Sequence, residues 1–237
     1  MDLPKSYDTS YINTSTNLQS IIEGIKNSSN ARICLYGVAG TGKSAYAKFV
    51  AHELGCEIII KKASEILGMY VGQTEKNIAN AFKEAKNKKA VLVFDEVDSF
   101  LQDRSSANRS WEISQVNEML VQMESFNGVF IATTNLCESL DKASLRRFDM
   151  KIEFGYLKPE QASALFKKEC ELLGLKINAG ALERVSSLRA LAPGDFAAVK
   201  RANVFYPIKD SDDFAKRLAD EVKIKNAESG NKLGFVR

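Results

Sequence analysis

The chain has 237 residues, 45% of them hydrophobic, enough for one sizeable core or for a core and a small satellite domain. Its net charge of +3 is too weak to argue for a nucleic-acid partner. The four cysteines, Cys34, Cys56, Cys137 and Cys170, stand far apart, and His52 is the single histidine, so the composition argues against a zinc site. Read as reduced and mostly buried, the cysteines suit the cytoplasm. No apolar run approaches membrane-span length, and Met1 to Asp8 lacks signal-peptide character.

Residues Met1 to Asn30 are polar, rich in Asn, Ser and Thr. They read as a loop with one amphipathic helix, marked by Leu18, Ile21, Ile22 and Ile25. Their abrupt start fits a chain cut from a longer protein. Arg32 to Tyr36 then reads as a short buried strand, and Ala45 to Leu54 as a helix with Tyr46, Phe49, Val50 and Leu54 on one face.

Between that strand and helix lies Gly37-Val38-Ala39-Gly40-Thr41-Gly42-Lys43-Ser44, which fits G-x-x-x-x-G-K-[ST]. Glycines let the backbone turn tightly and aim several N–H groups at an anionic phosphate. Lys43 adds a point charge for the β- and γ-phosphates, and Ser44 offers a hydroxyl to Mg²⁺. The next helix brings the positive end of its dipole to the same place. Strand, glycine loop and helix together are the context that the motif requires.

Glu57 to Ile60 predicts a second strand. Gly68-Met69-Tyr70-Val71-Gly72 comes next in a polar loop, with Thr74 placed to cap a helix that buries Ile78, Ala81, Phe82 and Ala85. On its own the loop reads as a turn with one packed aromatic. Ala90 to Phe94 is an apolar run of the kind buried on both faces of a parallel sheet. Asp95 and Glu96 at its carboxyl end sit where open α/β sheets bind ligands. In that place Asp95 would hold Mg²⁺ and Glu96 would polarise the attacking water.

Gln102 to Asn108 reads as a polar loop, and Ser110 to Met123 as a helix burying Ile113, Val116, Leu120 and Met123. A strand from Gly128 to Thr133 ends at Thr134-Asn135. Asn135 would orient the lytic water or touch the γ-phosphate, or it is a turn former. Arg146 and Arg147 precede a fifth strand, Met150 to Phe154. They read either as an arginine finger for a neighbouring subunit or as a surface pair for Asp149 or Asp141.

Beyond Leu157 the pattern is helical only, opening on Pro159 in a first turn. Leu165, Phe166, Leu172 and Leu173 mark one helix, and Leu182, Val185 and Leu188 a second. Phe196, Val199 and Phe205 or Tyr206 mark a third, and Phe214, Leu218 and Val222 a fourth. The expected division is an α/β domain over 1–157, a helical domain over 158–225 and a mobile tail over 226–237, where Leu233 and Phe235 would dock if anything does.

This set of motifs resembles the AAA+ ATPases, more narrowly the AAA clade of ring-forming ATPases, from about Tyr11 to Lys225. The resemblance implies a P-loop NTPase fold, a parallel five-stranded sheet flanked by helices and continued by a small all-α lid. It fits a bacterial-type protein with a single such module, or a fragment. Gly37 to Ser44 looks like Walker A, with Ala45 closing the contact set, and Val91 to Glu96 looks like Walker B. Thr133-Thr134-Asn135 looks like the sensor-1 segment, and Leu140-Asp141 through Asp149 like the region carrying arginine fingers. Met69-Tyr70-Val71-Gly72 is similar to a pore loop that grips a polypeptide. Pro193-Gly194-Asp195 falls near the adenine. The likeness implies an ATPase that binds ATP/ADP and Mg²⁺, assembles as a homo-hexamer and threads a protein substrate. Adjacent arginines depart from the family's usual spacing, which leaves open whether Arg146 or Arg147 is the finger. The rival reading is a nucleic-acid-acting relative of the helicase-loader type. It would want a basic groove with stacking aromatics, and only Lys61-Lys62 is near. A nucleotide kinase lacks an acceptor site here.

Overall fold

The computed structural model describes residues 3, 4, 6–99, 101, 110–136, 138 and 140–230. The expected loop at 102–108, Cys137, Leu233 and Phe235 lie outside them. The chain divides into two compact units, one of residues 14–38 and 43–154, the other of residues 1–13, 39–42 and 155–237.

The first unit is built on β1 (Ala31–Gly37), β2 (Ile58–Lys62), β3 (Val91–Asp95), β4 (Val129–Thr134) and β5 (Met150–Phe154). They form one sheet in the order β2-β3-β4-β1-β5, with every neighbouring pair parallel. Parallel strands need crossover helices on the faces, so their inner strands bury both sides. Accordingly β3 is buried from Val91 to Phe94, and β4 along its whole length.

The flanking helices are α1 (Leu18–Ser28), α2 (Lys43–Glu53), a single turn α3 (Ala63–Ile66), α4 (Gln73–Lys88), α5 (Ser110–Ser125) and α6 (Lys142–Arg147). Asn17 caps α1 by accepting from the N–H groups of Gln19 and Ser20, and the helix buries Leu18, Ile21, Ile22 and Ile25 as its spacing predicts. Phe82 of α4 packs on Phe94, Phe126 and Phe130 at centroid distances of 5.6, 5.2 and 5.1 Å, which ties α4 to the two central strands.

The second unit contains α7 (Pro159–Leu173), α8 (Ala179–Ser186), α9 (Pro193–Ala202) and α10 (Ser211–Gly230). Its core gathers Leu165, Phe166, Val185, Phe196, Phe214 and Leu218, with Phe166 and Phe214 stacked at 5.2 Å. The N-terminal stretch is wound onto these helices. Gln161 Nε2 donates to the carbonyls of Ser10 and Ile12 at 3.0 and 2.9 Å. The buried Glu169 carboxylate is met by Ser6 Oγ and by Lys200 Nζ, both at 2.7 Å, the pairing that a buried charge requires.

Several expectations shift. Thr74 is not the cap of α4. Gly72 holds that place at φ 83°, and the buried Thr74 hydroxyl instead accepts from Gly68 N–H at 3.0 Å. Ile113 is 38% exposed, and Met119 takes its place in the core. Leu172 is also exposed, because the α7 face is completed by Ala162 and Cys170. Neither Phe205 nor Tyr206 extends α9, which stops at Ala202; both are exposed. Cys34 and Cys170 are buried thiols, whereas Cys56 is exposed. Helix α10 runs through Gly230, and residues 231–237 lie outside the described part.

Candidate nucleotide site

Strand order brings the carboxyl ends of β3, β4 and β1 side by side. Pairing of Phe94 with Ala132 sets Asp95 level with Thr133, and pairing of Tyr36 with Thr134 sets Gly37 level with Asn135, two residues further along the strands. A crevice at strand ends is where open α/β sheets bind ligands.

Gly37 ends β1 at φ 120°, and a Cβ there would stand 2.3 Å from the Phe154 carbonyl oxygen, so only glycine lets the chain turn against β5. Lys43 opens α2 and is only 8% exposed. Its ammonium donates to the carbonyls of Gly37 and Val38 at 2.7 and 2.9 Å and to Asn135 Oδ1 at 2.8 Å. Burial lowers its pKa from 10.5 to about 8, while Asp95, Asp98 and Glu96 pull the other way. Neutral oxygens hold this cation, and phosphate oxygens would hold it better.

Ser44 Oγ donates to Asp95 Oδ1 at 2.9 Å. The same oxygen receives Thr133 Oγ1 at 2.5 Å, and Thr133 Oγ1 accepts the Glu96 N–H at 3.1 Å. Glu96 has φ 62°, a left-handed conformation uncommon for a residue with a Cβ. Its side chain is exposed. Next along β4, Thr134 donates to Asp98 Oδ1 at 2.8 Å. A hydroxyl and a carboxylate are the hard oxygen donors that Mg²⁺ takes, so Ser44 and Asp95 fit that ion.

Ala39, Gly40, Thr41 and Gly42 belong to the second unit. There the Gly194 N–H, in the first turn of α9, donates to the Gly40 carbonyl at 2.8 Å. A Cβ on Gly194 would stand 2.9 Å from Gly40 Cα and O, so the contact is backbone on backbone. Asp195 accepts from Ala192 N–H at 2.7 Å and pairs with Lys225 at 2.6 Å, which fixes the start of α9.

The two arginines separate. Arg147 is engaged, with Nε on Glu124 at 2.6 Å and Nη1 on the Ala143 carbonyl at 3.1 Å; Arg146 is exposed. Neither expected acidic partner serves, since Asp149 pairs with Arg32 at 3.1 Å and Asp141 caps α6. Met69, Tyr70 and Val71 stand out from the surface, Tyr70 at 75% exposure. Of the basic pair at the end of β2, Lys61 pairs with Glu84 at 3.3 Å and Lys62 is exposed.

Residues 33–156, from β1 to just past β5, match the family described as the ATPase family associated with various cellular activities (AAA). The chain belongs to the AAA family of ATPases. As an AAA chain it shares 37% identity over 153 residues with the peroxisomal ATPase pex6 of Schizosaccharomyces pombe, covering 60% of this chain and 16% of that protein. It shares 38% over 144 residues with the nuclear valosin-containing protein-like protein of Mus musculus, covering 58% and 17%. With the ATP-dependent zinc metalloprotease FtsH 1 of Alkaliphilus metalliredigens it shares 38% over 133 residues, covering 52% and 22%. The chain therefore spans only a small part of each of these relatives.

The hydrogen bonds of Thr133 are not legible in its sequence context. Thr133 reads as the last residue of a strand, and nothing in its spacing separates a packed hydroxyl from one aimed at Asp95. The signal available is a second threonine where an apolar strand could have ended on one.

Proposed function

We propose that this AAA chain hydrolyses ATP in a Mg²⁺-dependent reaction, as one subunit of a homo-hexameric ring that remodels or threads a protein substrate. The observation that carries the reading is the Ser44–Asp95–Thr133–Glu96 chain of hydrogen bonds beside the three-oxygen cradle of Lys43. In this reading the loop from Gly37 to Gly42 wraps the phosphates, with Ala45 in the next turn. Lys43 gives up its neutral partners for the β- and γ-phosphates. Ser44 keeps its proton on Asp95, which leaves its lone pairs for Mg²⁺. An ion held by Ser44 and Asp95 would supply positive charge to neutralise the phosphate oxygens.

Glu96 accepts the proton of the attacking water, and Asn135, released from Lys43, orients that water. Gly194 supports the loop from behind Gly40, near the adenine. Of the two arginines, the exposed Arg146 is the better finger for the neighbouring subunit's nucleotide, because Arg147 is occupied by Glu124. Tyr70 and Val71, with Met69 and Gly72 shaping their loop, grip the polypeptide. Among the described residues no helix is long and apolar enough to cross a membrane. We keep the cytoplasm as the compartment, which reduced cysteines would suit.

The test is Glu96→Gln with ATP and Mg²⁺. Bound ATP should persist unhydrolysed, and light scattering should give a mass near six chains. Turnover at the parent rate would refute the assignment of Glu96. A monomer that binds ATP would refute the ring for this chain.

A further inference from the structure

We propose that Thr133 is a positioning residue for hydrolysis, holding both acids of the site in register through one hydroxyl. This rests on the reading of Glu96 as the group that activates water. Thr133 lies in β4, between the two strands whose ends carry the acids and the glycine loop, and is only 2% exposed. A threonine hydroxyl has one proton and two lone pairs. Here the proton goes to Asp95 Oδ1 at 2.5 Å, and a lone pair takes the Glu96 N–H at 3.1 Å. The same oxygen thus fixes the side chain of one acid and the main chain of the next.

The consequence falls on Glu96. Its φ of 62° lies in a region that a residue with a Cβ keeps only where its surroundings hold it. The Thr133 oxygen on its N–H provides that hold, and the direction of the Glu96 side chain depends on it. Thr134 cannot substitute, since its hydroxyl donates to Asp98 and accepts from Leu136 N–H at 3.0 Å. Valine at 133 would fill the same volume and leave both the Glu96 N–H and Asp95 Oδ1 one partner short.

The experiment compares Thr133→Val, Thr133→Ser, Glu96→Gln and the Thr133→Val/Glu96→Gln double variant of the full chain. ATP turnover and ATP affinity are measured separately. Thr133→Val should lower kcat about tenfold to a hundredfold, the scale of a displaced catalytic group, with affinity nearly unchanged. Thr133→Ser should restore most of the rate. In the Glu96→Gln background the valine should add no further loss, because residues acting as a unit are not additive.

Parent turnover in Thr133→Val beside a dead Glu96→Gln overturns this proposal alone. Parent turnover in Glu96→Gln overturns the base assignment and this proposal with it. Equal losses of affinity and turnover would make Thr133 part of the pocket wall and also overturn it. Should the valine variant not fold, Thr133→Ala takes its place, slow against a normal serine variant if the proposal holds. A further readout needs no turnover. Hydrogen exchange of the Glu96 amide should lose protection in Thr133→Val or Thr133→Ala and keep it in Thr133→Ser; unchanged protection would count against the proposal.

Discussion

The Lys43 ammonium and the Asn135 amide oxygen lie 2.8 Å apart, so this buried cation is already held by a neutral side-chain oxygen. On the proposed function, Asn135 would compete with nucleotide for Lys43 and would have to let go in order to orient water. Asn135→Ala should leave ATP affinity unchanged or tighter and lower turnover about tenfold to a hundredfold, as expected when a reacting group loses its alignment. Titration with a fluorescent nucleotide, set beside steady-state kinetics, checks both. A loss of affinity that matches the loss of rate would make Asn135 a phosphate ligand instead.

Lys43 also predicts a pH dependence with a definite sign. Burial brings its pKa from 10.5 to about 8 in the folded chain. Phosphate favours the charged form. ATP affinity, measured in EDTA so that no metal titrates alongside, should be flat below about pH 8 and fall as pH rises through it. The slope should approach tenfold per pH unit, since binding then takes up a proton. Stability without nucleotide should move the other way. Between about 8 and 10.5 the unfolded chain holds a proton that the folded chain has released, so the contribution of Lys43 to stability rises with pH. The residual affinity of Lys43→Met should show no such slope.

The elements legible in the sequence are those where one local pattern decides the outcome. The apolar run before Asp95 could only be a strand buried on both faces, and the glycine loop needs a strand before it and a helix after it. The α1 stripe and the α10 set Phe214, Leu218 and Val222 likewise come from spacing alone. Other features depend on partners distant in the chain. Whether Arg146 or Arg147 is free depends on Glu124, which lies 23 residues before Arg147. The role of Thr133 depends on the strand order that sets β4 beside β3. Phe205 and Tyr206 mislead because aromatics at helical spacing usually continue a helix, and here the chain turns after Ala202.

Gly194 tests the support of the glycine loop within the second unit. Its N–H bond to Gly40 O at 2.8 Å holds two backbones too close for a side chain, since a Cβ would come within 2.9 Å of Gly40 Cα and O. Both atoms belong to backbone, so nothing flexible can yield. Gly194→Ala should push Gly40 outward and weaken ATP binding about tenfold or more, the scale of a small displacement at a positioned group. Calorimetric titration with ATP measures this, and an unchanged affinity would show that the loop does not depend on α9.

Phe196 and Phe205 differ in what surrounds their rings. Phe196 is buried and packs edge-on against Phe214 at 6.0 Å. Phe205 is 87% exposed, in a loop held by other groups. Arg217 donates to the carbonyls of Tyr206 and Pro207 at 2.5 and 3.1 Å and lies 5.5 Å from the Tyr206 ring centroid, while Asn203 Oδ1 accepts from Ile208 N–H at 2.6 Å. None of these contacts uses the Phe205 ring. Phe196→Ala should therefore destabilise the helical unit by about 3–5 kcal/mol, the range for emptying a buried phenylalanine site. Phe205→Ser should change stability by no more than about 0.5 kcal/mol, as exposed substitutions do. Urea unfolding of both variants gives the comparison. A Phe205 variant as unstable as the Phe196 variant would mean that Phe205 belongs to the core after all, as its spacing from Phe196 and Val199 suggests.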